Sequence, residues 1–264
     1  MEENIITSVQ NARIKHVVAL QQKSSLRREE GLFVVEGQRE IDHCIECGYE
    51  VMEVYRGEWQ EVRGEILDIP VSTVSRQVYE KMAYRGSTEG IIAVVKCKDH
   101  HLSNLSPLTS HHSPLIIVLE SVEKPGNLGA ILRTAEAANV DAVIVCDPLT
   151  DLYNPNLIRA SIGGVFCVPT AVCSSKECIA FLKEHQIRIL TAQLQDSYDY
   201  YDYDMCQATA IVMGTESTGL TQQWREAADA HIRIPMLGRL DSLNVSVSAA
   251  ILMFEAVRQR MVKR

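Results

Sequence analysis

The first hundred residues alternate short apolar runs with stretches of helical spacing. Leu32 to Glu36 and Val51 to Tyr55 read as strands, with a helix from Gln38 to Cys47 between them that Gly48 ends. A helix from about Ser8 to Gln22 precedes them. Runs at Ile69–Ser72 and Ile91–Val95, flanking a helix from Arg76 to Met82, complete a small α/β unit. The Ser-, Asn-, Pro- and His-containing stretch Lys98 to Pro114 has little periodicity and reads as a linker. A domain boundary near residue 105 follows, dividing the chain into 1–105 and 106–264.

Beyond the linker, Leu115–Leu119, Ala142–Val145, Val168–Val172, Ile187–Leu190 and Ala210–Met213 are predominantly apolar, the pattern of strands buried on both faces. Helical stretches separate several of them. The alternation predicts an α/β domain, a mostly parallel sheet with helices on both faces, whose ligands bind off the carboxyl ends of the strands. A closing helix from about Asn244 to Val262 sets Val245, Ala249, Leu252 and Ala256 on one apolar face.

With 264 residues there is ample chain for a core, and the mean hydropathy of -0.03 is that of an ordinary globular protein. No apolar run is long enough to span a bilayer, so no membrane partner is expected. Without a signal peptide, the eight cysteines are expected as reduced thiols in the cytoplasm. Cys44 and Cys47 form a lone C-x-x-C with no second pair, the pattern of structural thiols rather than a metal site. A net charge of -8 runs against the usual footprint of a nucleic-acid binder. Locally the balance reverses, with five basic and no acidic residues from Arg13 to Arg28.

Three segments could carry chemistry. After the strand at Leu115, the turn Glu123–Gly126 feeds a helix with an apolar stripe at Leu128, Ile131, Leu132 and Ala135. Arg133 lies off the stripe. Asn127 reads either as a helix cap or as a functional amide, and Arg133 either as a partner of Glu136 or as a free cation. Next, Gly214-Thr215-Glu216-Ser217-Thr218-Gly219-Leu220 imitates a phosphate-binding loop, but Leu220 stands where that loop needs lysine and Glu216 would repel a triphosphate. Third, Ile234 to Ala250 runs through Pro235, Met236 and Gly238 into Ser242-Leu243-Asn244-Val245-Ser246, a polar helix entry beside apolar residues that could enclose a ring. Arg159, on a short helix opened by Asn154-Pro155, reads as a phosphate contact or as an ordinary surface residue before the packing glycines Gly163-Gly164.

In order and spacing these segments resemble the SpoU/TrmH family of SPOUT RNA methyltransferases. Asn127, Gly129 and Arg133 match its first motif, Gly214, Glu216 and Gly219 its second, and Ile234-Pro235-Met236 with Ser242 to Ser246 its third. The N-terminal unit, with Phe33-Val34-Val35-Glu36-Gly37, resembles the L30e-like ribosomal-protein domain often fused to it. The resemblance implies a C-terminal trefoil knot, a homodimer, and S-adenosylmethionine held near Thr191, Ala192, Gly214, Ile234, Met236, Leu243 and Ser246. It implies 2'-O-methylation of a ribose in structured RNA, ribosomal before transfer RNA, with Arg133, Asn127, Glu216, Ser242 and Asn244 at the reacting centre and no metal in the reaction. A non-catalytic RNA-binding or ribosome-assembly factor is the competing reading, set against the intact motif residues.

Overall fold

The structure, a computed structural model, describes residues 5–61, 69–86, 89–105, 113–215, 217–239 and 241–262. Its chain packs as two units, one made of Met1–Asp99 with Asp151–Cys167, the other of His100–Thr150 with Val168–Arg264.

In the first unit α1 (Ala12–Gln22) and α2 (Ser24–Glu30) lead into β1 (Leu32–Glu36), α3 (Gln38–Glu46), β2 (Val51–Gly57), β3 (Val71–Val74), α4 (Arg76–Met82) and β4 (Ile91–Lys96). The strands form a mixed sheet in the order β1-β4-β2-β3, with β2 and β3 parallel and the other pairs antiparallel. Asn11 opens α1 by accepting from the Arg13 amide, so the helix begins four residues later than expected at Ser8. Ile14, Val17 and Leu20 of α1 and Val78 and Met82 of α4 bury their apolar faces against Val34, Tyr55, Ile92 and Val94. The third strand lies at 71–74 rather than 69–72, because Val74 rather than Ile69 faces this core.

The second unit starts with His100–Leu105, part of the expected linker. The His100 carbonyl accepts from Val172, and Leu105 is buried. The chain then enters β5 (Leu115–Glu120), α5 (Pro125–Ala137) and β6 (Ala142–Cys146). It next supplies α6 (Pro155–Ser161) and α7 (Gly164–Cys167) to the first unit, where Tyr153 stacks on Phe33 with ring centroids 4.1 Å apart. Asp151 binds Arg27 in two-pronged fashion, Nε to Oδ1 at 3.2 Å and Nη2 to Oδ2 at 2.7 Å. Packing of 151–167 against β1 and α3 is why a single division at residue 105 does not describe the two units.

The remaining elements are β7 (Thr170–Cys173), α8 (Ser175–Glu184), β8 (Arg188–Ala192), β9 (Tyr198–Asp199), β10 (Thr209–Met213), α9 (Gln222–Ala227), β11 (Ala230–Arg233) and α10 (Val245–Val262). The seven strands form one parallel sheet in the order β7-β6-β5-β10-β8-β11-β9. Ile116, Val118, Ile144, Ile189 and Val212 face α8 and α9, including the fully buried Trp224. The opposite face meets α5 and α10, which pack on each other and on the sheet. This is the doubly covered parallel sheet that the apolar runs predict. Tyr198–Asp199 and Ala230–Arg233 are added strands.

Candidate active site

The carboxyl ends of β5, β10, β8 and β11 open onto one region of the second unit, the place where a parallel sheet presents its loops. A cavity of about 660 Å³ lies there, lined by Ala192–Gln195 after β8, Met213–Thr215 and Ser217–Leu220 after β10, Ile232–Ile234 and Met236 after β11, and Asp241–Val245. A smaller cavity of about 110 Å³ shares Gly214, Thr215, Ser217 and Val245 with it and adds Val122, Lys124 and Asn127 from the β5 side.

The loop after β10 is built tightly. Thr215 Oγ1 lies 2.7 Å from Thr218 Oγ1 and accepts from the Thr218 amide at 3.0 Å, and the Gly219 amide donates to the Thr215 carbonyl at 3.1 Å. A Cβ at Gly214 would stand 2.6 Å from the Leu220 nitrogen and closer still to the Gly219 carbonyl, so only glycine fits. The far end of the loop is pinned by Glu120, a buried carboxylate at the end of β5. It accepts from the Thr221 amide at 2.9 Å and the Thr221 hydroxyl at 2.7 Å. Ser175 Oγ lies 3.2 Å from the same carboxylate and accepts from the Trp224 indole at 3.0 Å.

Asn244 is the cap of α10. Its side-chain oxygen accepts from the Ser246 amide at 3.0 Å and the Ser246 hydroxyl at 2.5 Å. Its amide nitrogen donates to Asn127 Oδ1 at 3.2 Å, joining the first motif to the third across 117 residues. Asn127 is not the cap of α5, whose entry is formed by Lys124 and Pro125. Arg133 is exposed and has no ion pair or hydrogen bond among the described residues, Glu136 included.

Of the sequence candidates, Ala192, Gly214, Ile234, Met236, Ser242, Leu243 and Asn244 line the larger cavity and Asn127 the smaller. Thr191 sits behind the lining, buried, with its hydroxyl 2.6 Å from His231 Nδ1. Ser246 is engaged with Asn244, and Arg133 lies on neither lining. Glu216 falls outside the described residues. The sequence reading missed Gln193 and Arg225. Both line the cavity, and each leaves a buried atom, Gln193 Oε1 and Arg225 Nε, with no partner among the described residues. No periodic or glycine signal marks either residue.

Arg159 is exposed on a 470 Å³ cavity of the first unit that also carries Glu36, Glu40 and Glu89. Those carboxylates oppose a phosphate there. Gly163 is explained by packing, since its absent Cβ would stand 2.5 Å from His43 Nδ1.

The larger cavity suits an adenosyl sulfonium ligand. Met213, Ile234, Met236 and Leu243 can enclose a flat ring, the glycine loop allows close backbone approach, and the orphaned Gln193 and Arg225 atoms offer an acceptor and a cation for polar ends.

Residues 114–254 match the model of the SpoU rRNA Methylase family, and residues 11–93 match the MRM3-like substrate binding domain. The chain is 35% identical to the 23S rRNA (guanosine-2'-O-)-methyltransferase RlmB of Vibrio vulnificus, over 76% of this chain and 82% of that protein. It is 28% identical to a 23S rRNA uridine 2'-O-methyltransferase of Streptomyces viridochromogenes, over 98% and 93%. The solved structure of the SpoU methyltransferase AviRb from Streptomyces viridochromogenes with AdoMet superposes with a TM-score of 0.86, at 26% identity, over 96% of this chain and 100% of that one.

Proposed function

The chain belongs to the SpoU rRNA methylase family, and we propose a division of labour for its residues in the S-adenosylmethionine-dependent 2'-O-methylation of ribosomal RNA. The observation that carries it is the convergence of the second and third motifs on one cavity, with Asn127 of the first bonded to Asn244 at its edge.

When bound, the cofactor supplies a sulfonium methyl already activated toward an in-line nucleophile. Gly214, Ile234, Met236 and Leu243 enclose its adenosine, with Ala192 beside them and Thr191 and Ser246 holding the lining in place. Arg225 pairs with its carboxylate. The Asn127–Asn244 bridge fixes the start of α5 against the start of α10. Ser242 adds to the polar wall toward the ribose, and Glu216, the acidic residue of the second motif, is assigned to the same chemistry. Arg133, unpaired on α5, acts on the RNA. Guanidinium is a poor base at neutral pH, so its part is to hold the phosphate beside the 2'-hydroxyl and favour loss of that proton.

The substrate is 23S rRNA in the cytoplasm, with the first unit as its RNA-binding part. The related enzymes act on guanosine in one case and uridine in the other, so the base is set by RNA structure rather than by the cofactor cavity. The active form is a homodimer. Val247, Phe254 and Met261 recur every seven residues along α10 and are 47%, 49% and 71% exposed, an apolar stripe that a second copy would cover. The trefoil knot implied by the family belongs to this reading, threading the loops after β10 and β11.

Labelled S-adenosylmethionine with ribosomal RNA tests the reading. Label recovered on a ribose 2'-oxygen supports it, and label on a base overturns it. Arg133→Ala is expected to slow transfer by about 100- to 1000-fold with unchanged cofactor affinity by calorimetry; equal loss of both would refute the assigned role. Phe254→Asp is expected to give a monomer by light scattering, with transfer lost.

A further inference from the structure

Cys146 precedes Cys173 by 27 residues and Cys178 follows it by five, and the transfer reaction makes no use of the three thiols that the fold brings together. β6 and β7 pair in parallel with Cys146 opposite Cys173, and Cys178 follows in the first turns of α8. All three sulfur atoms lie within 4.8 Å of one another. Cys146 and Cys178 are fully buried and Cys173 is half-buried, so the cluster is shielded on one side and reachable on the other.

Cys146 and Cys178 belong to the core with Ile144, Ala171 and Leu182, and Cys173 packs against its edge, so the three sulfurs meet at the margin of a core otherwise built largely of hydrocarbon side chains. We propose that Cys146, Cys173 and Cys178 form a structural site for one thiophilic closed-shell metal ion, Zn²⁺ or Cu⁺. Thiolates are the ligands that select these ions. No other Cys, His, Asp or Glu atom joins the cluster among the described residues. A cuprous ion would be satisfied by the three sulfurs, whereas zinc would complete its tetrahedron with water from the Cys173 side. Binding displaces the thiol protons into solvent.

The location gives the ion a task outside the chemistry of transfer. It would clamp the ends of β6 and β7 to the start of α8. That start carries the Ser174–Glu177 capping box and Ser175, which contacts Glu120 and Trp224. Glu120 in turn holds Thr221 at the end of the glycine loop.

The full-length protein, purified under reductant, is equilibrated with Zn²⁺ and, anaerobically, with Cu⁺ held by a chelating buffer. Bound metal is then counted by mass spectrometry after desalting. One ion per chain in either arm is expected, lost in Cys173→Ser and Cys146→Ser and kept in Cys44→Ser. Zinc retention identifies the four-coordinate form and copper retention the three-coordinate one. Should the serine variants fail to fold, alkylation mapping of the wild-type protein decides. Metal is expected to slow modification of Cys173 by at least tenfold, reversed by chelator. No retained ion in either arm, or retention undiminished in folded Cys173→Ser, overturns the proposal.

Discussion

The two larger cavities are both hundreds of cubic ångströms in volume, yet their walls differ in kind. That of the first unit mixes Arg39 and Arg159 with Glu36, Glu40 and Glu89, and several of these are already spoken for. Arg39 pairs with Glu40 at 2.7 Å, and Glu36 accepts from the Tyr79 hydroxyl and the Tyr84 amide. That of the second unit sets Arg225, Arg233, Asp241 and the amides of Gln193, Gln195 and Asn244 among methionine, isoleucine, leucine, hydroxyls and glycine, and it carries two buried polar atoms without a partner among the described residues. Volume therefore does not mark the site. Unsatisfied polar groups set in an apolar wall do, because leaving them buried is costly until a ligand pairs with them.

The contrast can be broken most sharply at Gly214. Gly214→Ala forces a methyl into the Gly219–Leu220 backbone, an overpacking cost of about 1–3 kcal/mol. Cofactor affinity is expected to fall by roughly 100-fold in calorimetry; an unchanged value would mean the glycine loop is no part of the site. Arg225→Ala comes next, with affinity for S-adenosylmethionine down about tenfold, near the net value of one hydrogen bond to a charged group. A desamino analogue retaining the carboxylate should lose as much from this variant, and one lacking the carboxylate should be indifferent to it. The smallest effect is expected in the first unit. Arg159→Ala should leave cofactor affinity and RNA binding within about twofold, since a single exposed charge contributes little. A tenfold loss of RNA affinity would turn the first cavity into a phosphate site despite its carboxylates.

Much of this was legible in the sequence, for identifiable reasons. β1 has its expected bounds because its apolar run is closed on both sides by glycine, Gly31 and Gly37, and α4 because Ser75 opens its amphipathic turns. The central strands of the large sheet are equally plain, each holding an apolar run of two to five residues. β11 escaped notice because only Ile232 of its four residues is buried and the strand exists through pairing with β8 and β9. α2 escaped for a related reason: its Ser-Ser-Leu-Arg-Arg-Glu-Glu stretch is polar, and its one buried residue is Arg27, held by Asp151 and the Leu20 carbonyl.

The site divides in the same way. Gly214, Asn127 and Asn244 stood out because glycine loops and helix entries have local signatures. Asn127, open in the sequence between a cap and a functional amide, is no cap, whereas Asn244 caps α10 and also bonds Asn127. Gln193 and Arg225 have no local signature, since the single buried atom each leaves unpaired among the described residues is a property of the folded walls. The cysteine trio is less legible still. Nothing in the spacing of 146, 173 and 178 suggests proximity, which arises from the register of β6 against β7.

The passage of Asp151–Cys167 into the first unit has a consequence for synthesis. Phe33 waits for Tyr153 and Phe166, and Arg27 waits for Asp151, so the first unit cannot complete its packing when residue 99 leaves the ribosome. At translation rates of roughly 5–20 residues per second, the remaining partners arrive several seconds later. During that interval an aromatic face and a guanidinium destined for burial stay open, while β5, α5 and β6 emerge between them. The N-terminal unit, though first in the chain, is completed from inside the catalytic sequence, and a gene fragment ending at its apparent boundary would encode an unfinished core.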